Sequence, residues 1–192
     1  MHRIPQPRPR PSPTMPRAAL LVALFAALAC RDEDRSTDVR GAGLPPARLQ
    51  PAARAAAYDA ALRQAFDVDS SLVLLVDPAL LPRDGSYARE DPLPGPVIRV
   101  LRQSGTVQGV CEPARPEPRL APRCPAAKPG YAVRFSEVYR MPGDTVRLFV
   151  AAERFRTALG AGPAGPFAFE SGFQLVRRGA GWSVVRQARI KS

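Results

Sequence analysis

A chain of 192 residues with 45% hydrophobic content has room for one folded domain with a core, and its 28 basic against 17 acidic side chains make it strongly cationic. The only histidine is His2, so removal of a leader that includes it excludes Ser-His-Asp and Cys-His catalysis and any histidine-ligated zinc. Lys128 and Lys191 are the only lysines; the basic excess is arginine amid abundant Ala, Pro and Gly, which reflects GC-rich coding rather than a nucleic-acid surface. No nucleic-acid partner is therefore expected.

Residues 1–16 carry a proline at nearly every second position from Pro5 to Pro13, which blocks helix and sheet alike. Arg17 then precedes an unbroken apolar run, residues 18–29, closed by Cys30. The run is too short to span a bilayer as a helix but suits the core of a signal peptide. Residues 1–29 are read as that signal peptide, and a start at Met15 would leave an ordinary short basic flank ahead of the run.

The end of this stretch, with Ala27, Leu28 and Ala29 ahead of Cys30, resembles the lipobox of bacterial lipoproteins. Ala29 keeps the small residue directly before the cysteine, while Ala27 stands where that family prefers leucine. The resemblance implies that Cys30 becomes the lipidated first residue and that the protein is membrane-associated in the cell envelope. Ala27-Leu28-Ala29 is also an A-x-A site for ordinary signal peptidase, which would release a soluble secreted protein.

Residues 30–46 mix charge with Gly and Pro and have almost no apolar content, so the lipidated Cys30 is expected to lead into a disordered tether. Residues 47–192 form the expected single domain. Within it, Tyr58, Ala61, Leu62, Ala65 and Phe66 fall on one stripe at helical spacing, which predicts a helix over 52–66. Leu72 to Val76 is a short apolar run with strand-like flanks, and residues 82–96, rich in Pro and Gly turns, read as a surface loop. Val97, Ile98, Val100 and Leu101 favour a helix from Pro96 to Gly105 over a strand.

Cys111 and Cys124 flank a proline-rich loop, 112–129, and in an exported protein they read as a disulfide. Beyond them the period changes to two. Tyr131, Val133 and Phe135 alternate with polar neighbours, a turn follows at residues 141–144, and Val146, Leu148 and Val150 return. Phe167, Phe169, Phe173 and Leu175 make a further strand, and Trp182, Val184 and Val185 the last one, across a Gly turn. The fold class expected is α+β: an N-terminal helix packed on an antiparallel β-meander.

The ending, residues 173–190, resembles the closing hairpin of small bacterial lipoproteins and of cone-shaped NTF2-like or cystatin-like domains, which implies a curved sheet. Chemistry is sparse. Asp67 and Asp69 lack the glycine and distal glutamate of a calcium loop, and no metal or cofactor is expected. Glu137 and Glu170 are the one pair of strand carboxylates with a glycosidase-like possibility, but strand acids ordinarily sit on a solvated face. No catalytic residue is expected. The reading is a non-catalytic, lipid-anchored envelope protein binding an unidentified envelope protein or component; the alternative is a small-ligand binder or weak hydrolase using the concave face of the sheet.

Overall fold

The computed structural model describes residues 40–66, 72–86, 88, 91–112, 124, 128, 130–155 and 167–191. Cys30 and the expected signal peptide lie outside the described residues, as do Asp67 and Asp69. Among the described residues, two helices and seven strands make an α+β fold.

Helix α1 (Pro51–Ala65) opens with proline at its first turn, where the missing N–H costs no helical bond, and carries Arg63 at its C-terminal end. Its buried residues are Ala55, Ala57, Tyr58, Ala61 and Leu62, one stripe in which small alanines let the helix sit close to the sheet. Phe66, in extended conformation, ends the helix and tucks its ring between Tyr131 and Phe169, with centroids 5.3 and 5.4 Å away. Helix α2 (Gly95–Gln103) buries Val97 and Leu101, packs beside α1, and gives way at Gly105, whose φ of 76° is the left-handed conformation that favours glycine.

The sheet runs β2 (Gly109–Val110), β1 (Val73–Val76), β3 (Gly130–Phe135), β5 (Thr145–Phe155), β6 (Phe167–Arg178), β7 (Gly181–Lys191), with β4 (Tyr139–Arg140) pairing only with β5. It is mixed, not the purely antiparallel meander expected. β1 lies parallel to both β2 and β3, with α2 as the crossover between β1 and β2; β3, β5, β6 and β7 are antiparallel neighbours. The physical reason is on β1 itself. Leu74 and Val76 enter the core beneath the helices, while Leu75 packs on the other face with Cys111 and Ala132. A strand covered on both faces reads as a continuous apolar run, as parallel strands do.

The turn expected at 141–144 is present, but it joins β4 to β5: Arg140 pairs with Val146 and the Met141 N–H donates to the Thr145 carbonyl at 3.0 Å. β3 pairs farther along β5, Phe135 opposite Val150. Between β3 and β4 the chain bends at Ser136, whose Oγ accepts the Phe149 N–H at 2.9 Å in place of a backbone carbonyl. The bend keeps a buried amide satisfied where the ladder breaks.

Tyr131, Val133, Phe135, Val146, Leu148, Val150, Phe173 and Leu175 line the helix side of the sheet and form the main core with α1 and α2. Tyr58 fixes α1 on this surface. Its ring stacks on Phe135 at 4.3 Å between centroids, and its hydroxyl donates to the Ser136 carbonyl at 2.7 Å while accepting from Arg54 Nε at 2.9 Å. Burial dominates the Tyr58 environment and pushes its pKa far above the ordinary phenol value. Trp182, half-buried, closes the far side: its Nε1 donates to the Ala53 carbonyl at 3.0 Å, tying β7 to α1.

Candidate functional site

The face of the sheet turned away from the helices carries the charged groups, because the period of two that sends Val133 and Phe135 inward sends Arg134 to the other side. This face is not solvated as its polar residues suggested. Arg40, Asp77, Arg134 and Glu170 are each no more than 3% exposed, and Glu153 is nearly as buried. The expected tether reaches residue 46, yet residues 40–46, the part of it that is described, lie against this face. Pro46 bridges to Tyr139, and the Arg140 N–H donates to the Pro45 carbonyl at 2.8 Å. Gly41, at φ 66°, sits so close to Tyr139 that an added Cβ would fall 2.5 Å from its ring. Only glycine fits there.

Arg40 uses its whole guanidinium. Nε and Nη2 donate to the two Glu170 carboxylate oxygens at 2.5 and 2.8 Å, and Nη1 donates to the carbonyls of Pro82 and Ser86 at 3.0 and 2.5 Å. A fork meeting a carboxylate in this way is among the strongest side-chain pairings. The second cluster is built on Arg134. Nε and Nη2 reach Asp77 Oδ2 at 2.8 and 2.7 Å, and Nη2 lies 3.7 Å from Glu153. The other Asp77 oxygen accepts the Ala79 N–H at 3.1 Å and shapes the turn after β1.

These groups work as struts. Charges so far from water persist only when paired and hydrogen-bonded, and here carboxylate oxygens are committed to guanidinium donors. Glu170, expected on a solvated face, is held in this buried layer. Glu137 is engaged elsewhere, 2.9 Å from Arg54 Nη2 on α1. The two carboxylates of the possible glycosidase pair are thus held by different arginines. Arg177 and Arg178 are exposed beside their turn, the ordinary place for solvated charge.

Cys111 and Cys124 are at disulfide-bonding distance, Sγ–Sγ 2.11 Å, with Cys111 buried against Leu75 and Ala132. Cys111 directly follows β2, so the pair ties Cys124 to that edge of the sheet. Among the described residues no group of three or more His, Cys, Asp or Glu side chains is arranged to hold a metal ion, and no helix is long and apolar enough to cross a membrane.

Arg40, Asp77 and Arg134 carried no local signal of their importance. Asp77 follows an apolar run directly and Arg134 occupies the polar phase of an alternating strand, patterns common to solvent-facing residues. No protein-family model, curated protein or solved structure matches this chain.

Proposed function

We propose that the chain is an exported, lipid-anchored envelope protein that acts by binding rather than by catalysis. The observation that carries the reading is the stretch 17–30, a basic residue, a continuous apolar run and then Cys30. The Cys111–Cys124 pair supports it, since disulfides belong to oxidising compartments outside the cytoplasm. The buried carboxylates support the non-catalytic part: Asp77 and Glu170 are committed to arginines that hold elements together. In this reading α1 is the N-terminal helix of the folded part, and the antiparallel strands β3, β5, β6 and β7 are the meander on which it rests.

The test is detergent-phase partitioning of the full-length protein and its Cys30→Ser variant after expression in a lipoprotein-processing bacterium. The wild type is expected in the detergent phase and the variant in the aqueous phase or retained as uncleaved precursor. Equal aqueous partitioning of both would overturn the anchor. Mass spectrometry of the mature N-terminus distinguishes cleavage before Cys30 from cleavage at an ordinary signal-peptidase site.

A further inference from the structure

Two arginines on the face covered by residues 40–46 are held by rings instead of carboxylates. Gly41 packs on the Tyr139 ring, and the Arg83 guanidinium lies over the same ring, 4.8 Å from its centroid. Tyr139 meets Phe149 edge-on at 6.3 Å, and the Arg147 guanidinium lies over Phe149 at 5.1 Å. Both rings are buried, while Arg83 is exposed and Arg147 half-buried. Among the described residues neither arginine forms an ion pair with a carboxylate. The carboxylate next to Arg83 in sequence, Asp84, accepts the Ser86 N–H at 2.8 Å. A ring face attracts a cation without neutralising it, so both charges stay open to an outside anion.

The segment that passes Tyr139 also leads back to Cys30. Arg40 is fixed to Glu170, so only nine residues, 31–39, separate it from Cys30, against sixteen had the tether run free to Pro46. At full extension such a link reaches about 35 Å. That limit holds for any conformation of the intervening chain.

Resting on the lipid-anchor reading, we infer that the face carrying Arg83, Tyr139 and Arg147 docks on the anionic headgroups of the membrane that holds Cys30. The short link keeps this face close to the bilayer, and its open cations match the negative surface. The two guanidinium groups lie over different rings, which suits a plane of many dispersed charges better than a single phosphate.

Mature protein, purified from a lipoprotein-processing bacterium, is reconstituted into vesicles of phosphatidylcholine alone or with about 30% phosphatidylglycerol. Amide hydrogen exchange of residues 83–86 is compared with that of α2, on the opposite side of the sheet. Anionic vesicles are expected to slow exchange at 83–86 about 5-fold or more, roughly the preference one arginine confers at such a surface. Exchange in α2 should not change. Salt at about 0.5 M should remove the protection, as should Arg83→Gln/Arg147→Gln with α2 still protected as in the wild type, which marks an intact fold. Arg99→Gln, an exposed arginine on α2, should keep it. Equal exchange on both vesicles overturns the inference. So does protection that survives the double substitution, or equal loss in Arg99→Gln, which would mark bulk electrostatics. The mass of the mature N-terminus separates the two failures: an unlipidated chain overturns the anchor and the docking together, whereas a lipidated chain without protection overturns the docking alone.

Discussion

Arg40 and Glu170 lie 130 residues apart in sequence and meet in a buried two-pronged ion pair. The pair binds the first described segment to the N-terminal part of β6, and Arg40 adds bonds to the Pro82 and Ser86 carbonyls. Removing one partner strands the other charge away from water. Arg40→Ala or Glu170→Ala is expected to cost about 3–5 kcal/mol in urea unfolding, whereas the double variant Arg40→Leu/Glu170→Leu recovers most of that loss. Additive losses in the double variant would show that the two side chains do not act on each other.

Trp182 is held by packing and by its bond to the Ala53 carbonyl. Trp182→Phe keeps most of the ring and is expected to lose about 1 kcal/mol, the worth of one hydrogen bond. Trp182→Ala is expected to lose about 3 kcal/mol, the low end for truncating a large aromatic, since the ring is only half-buried. Fluorescence of the native protein, with this single tryptophan, reports the same contact: the emission should shift to the red as α1 detaches.

Cys111 and Cys124 close a loop with a sequence separation of 13. Neither thiol is expected to alkylate in the unreduced mature protein. Replacing both by alanine should lower stability by about 3 kcal/mol, chiefly by freeing the unfolded chain. Two alkylatable thiols before reduction would contradict the bond.

Asp59 joins α1 to the end of α2. Its carboxylate accepts from Arg63 Nε at 2.8 Å and from the Ser104 and Thr106 hydroxyls. Burial alone would raise its pKa, but these hydrogen bonds and the Arg63 charge outweigh it and hold the carboxyl below its ordinary value. A depressed folded-state pKa contributes stability that is present above the unfolded value near 3.8 and is lost as pH falls through the folded one. Asp59→Asn should therefore be less stable than the wild type at neutral pH, with the gap narrowing as pH falls below about 4. A gap independent of pH would remove Asp59 ionisation from the account.

The helix carrying Tyr58, Ala61 and Leu62 was legible because its apolar stripe repeats at the helical period, although Phe66, the last member of the expected stripe, ends it in extended conformation; the Val97–Leu101 set worked in the same way. The alternation of Tyr131, Val133 and Phe135 likewise told which side faces the core. Strand pairing was not legible. LVLLV carries the continuous apolar run of a strand covered on both faces, but nothing within it says that its parallel neighbours are Gly109–Val110 and Gly130–Phe135. The buried charges were missed for a related reason. Arg40 sits in a polar, Gly- and Pro-rich stretch whose local composition favours disorder, and the carboxylate that makes its burial tolerable is supplied from far along the chain. Glu170 was expected in water because it occupies the polar phase of its strand; residues 40–46 and Leu81 cover that phase instead.

The interrupted register of β7 bears on how copies of this protein coexist at high local density. Among the described strands β7 pairs with β6 alone, and such an edge offers unpaired amides to a second molecule. Its pairing with β6 slips twice, between Glu170 and Ser171 and between Gln174 and Leu175. Each slip bends the strand and breaks the regular spacing that an incoming strand would have to match. Arg186 and Arg189 add like charge along the same edge, so two such edges repel before they can align. Val185, 54% exposed at the second slip, is the one large apolar side chain offered there, and the irregular backbone around it keeps it from seeding a continuous intermolecular sheet.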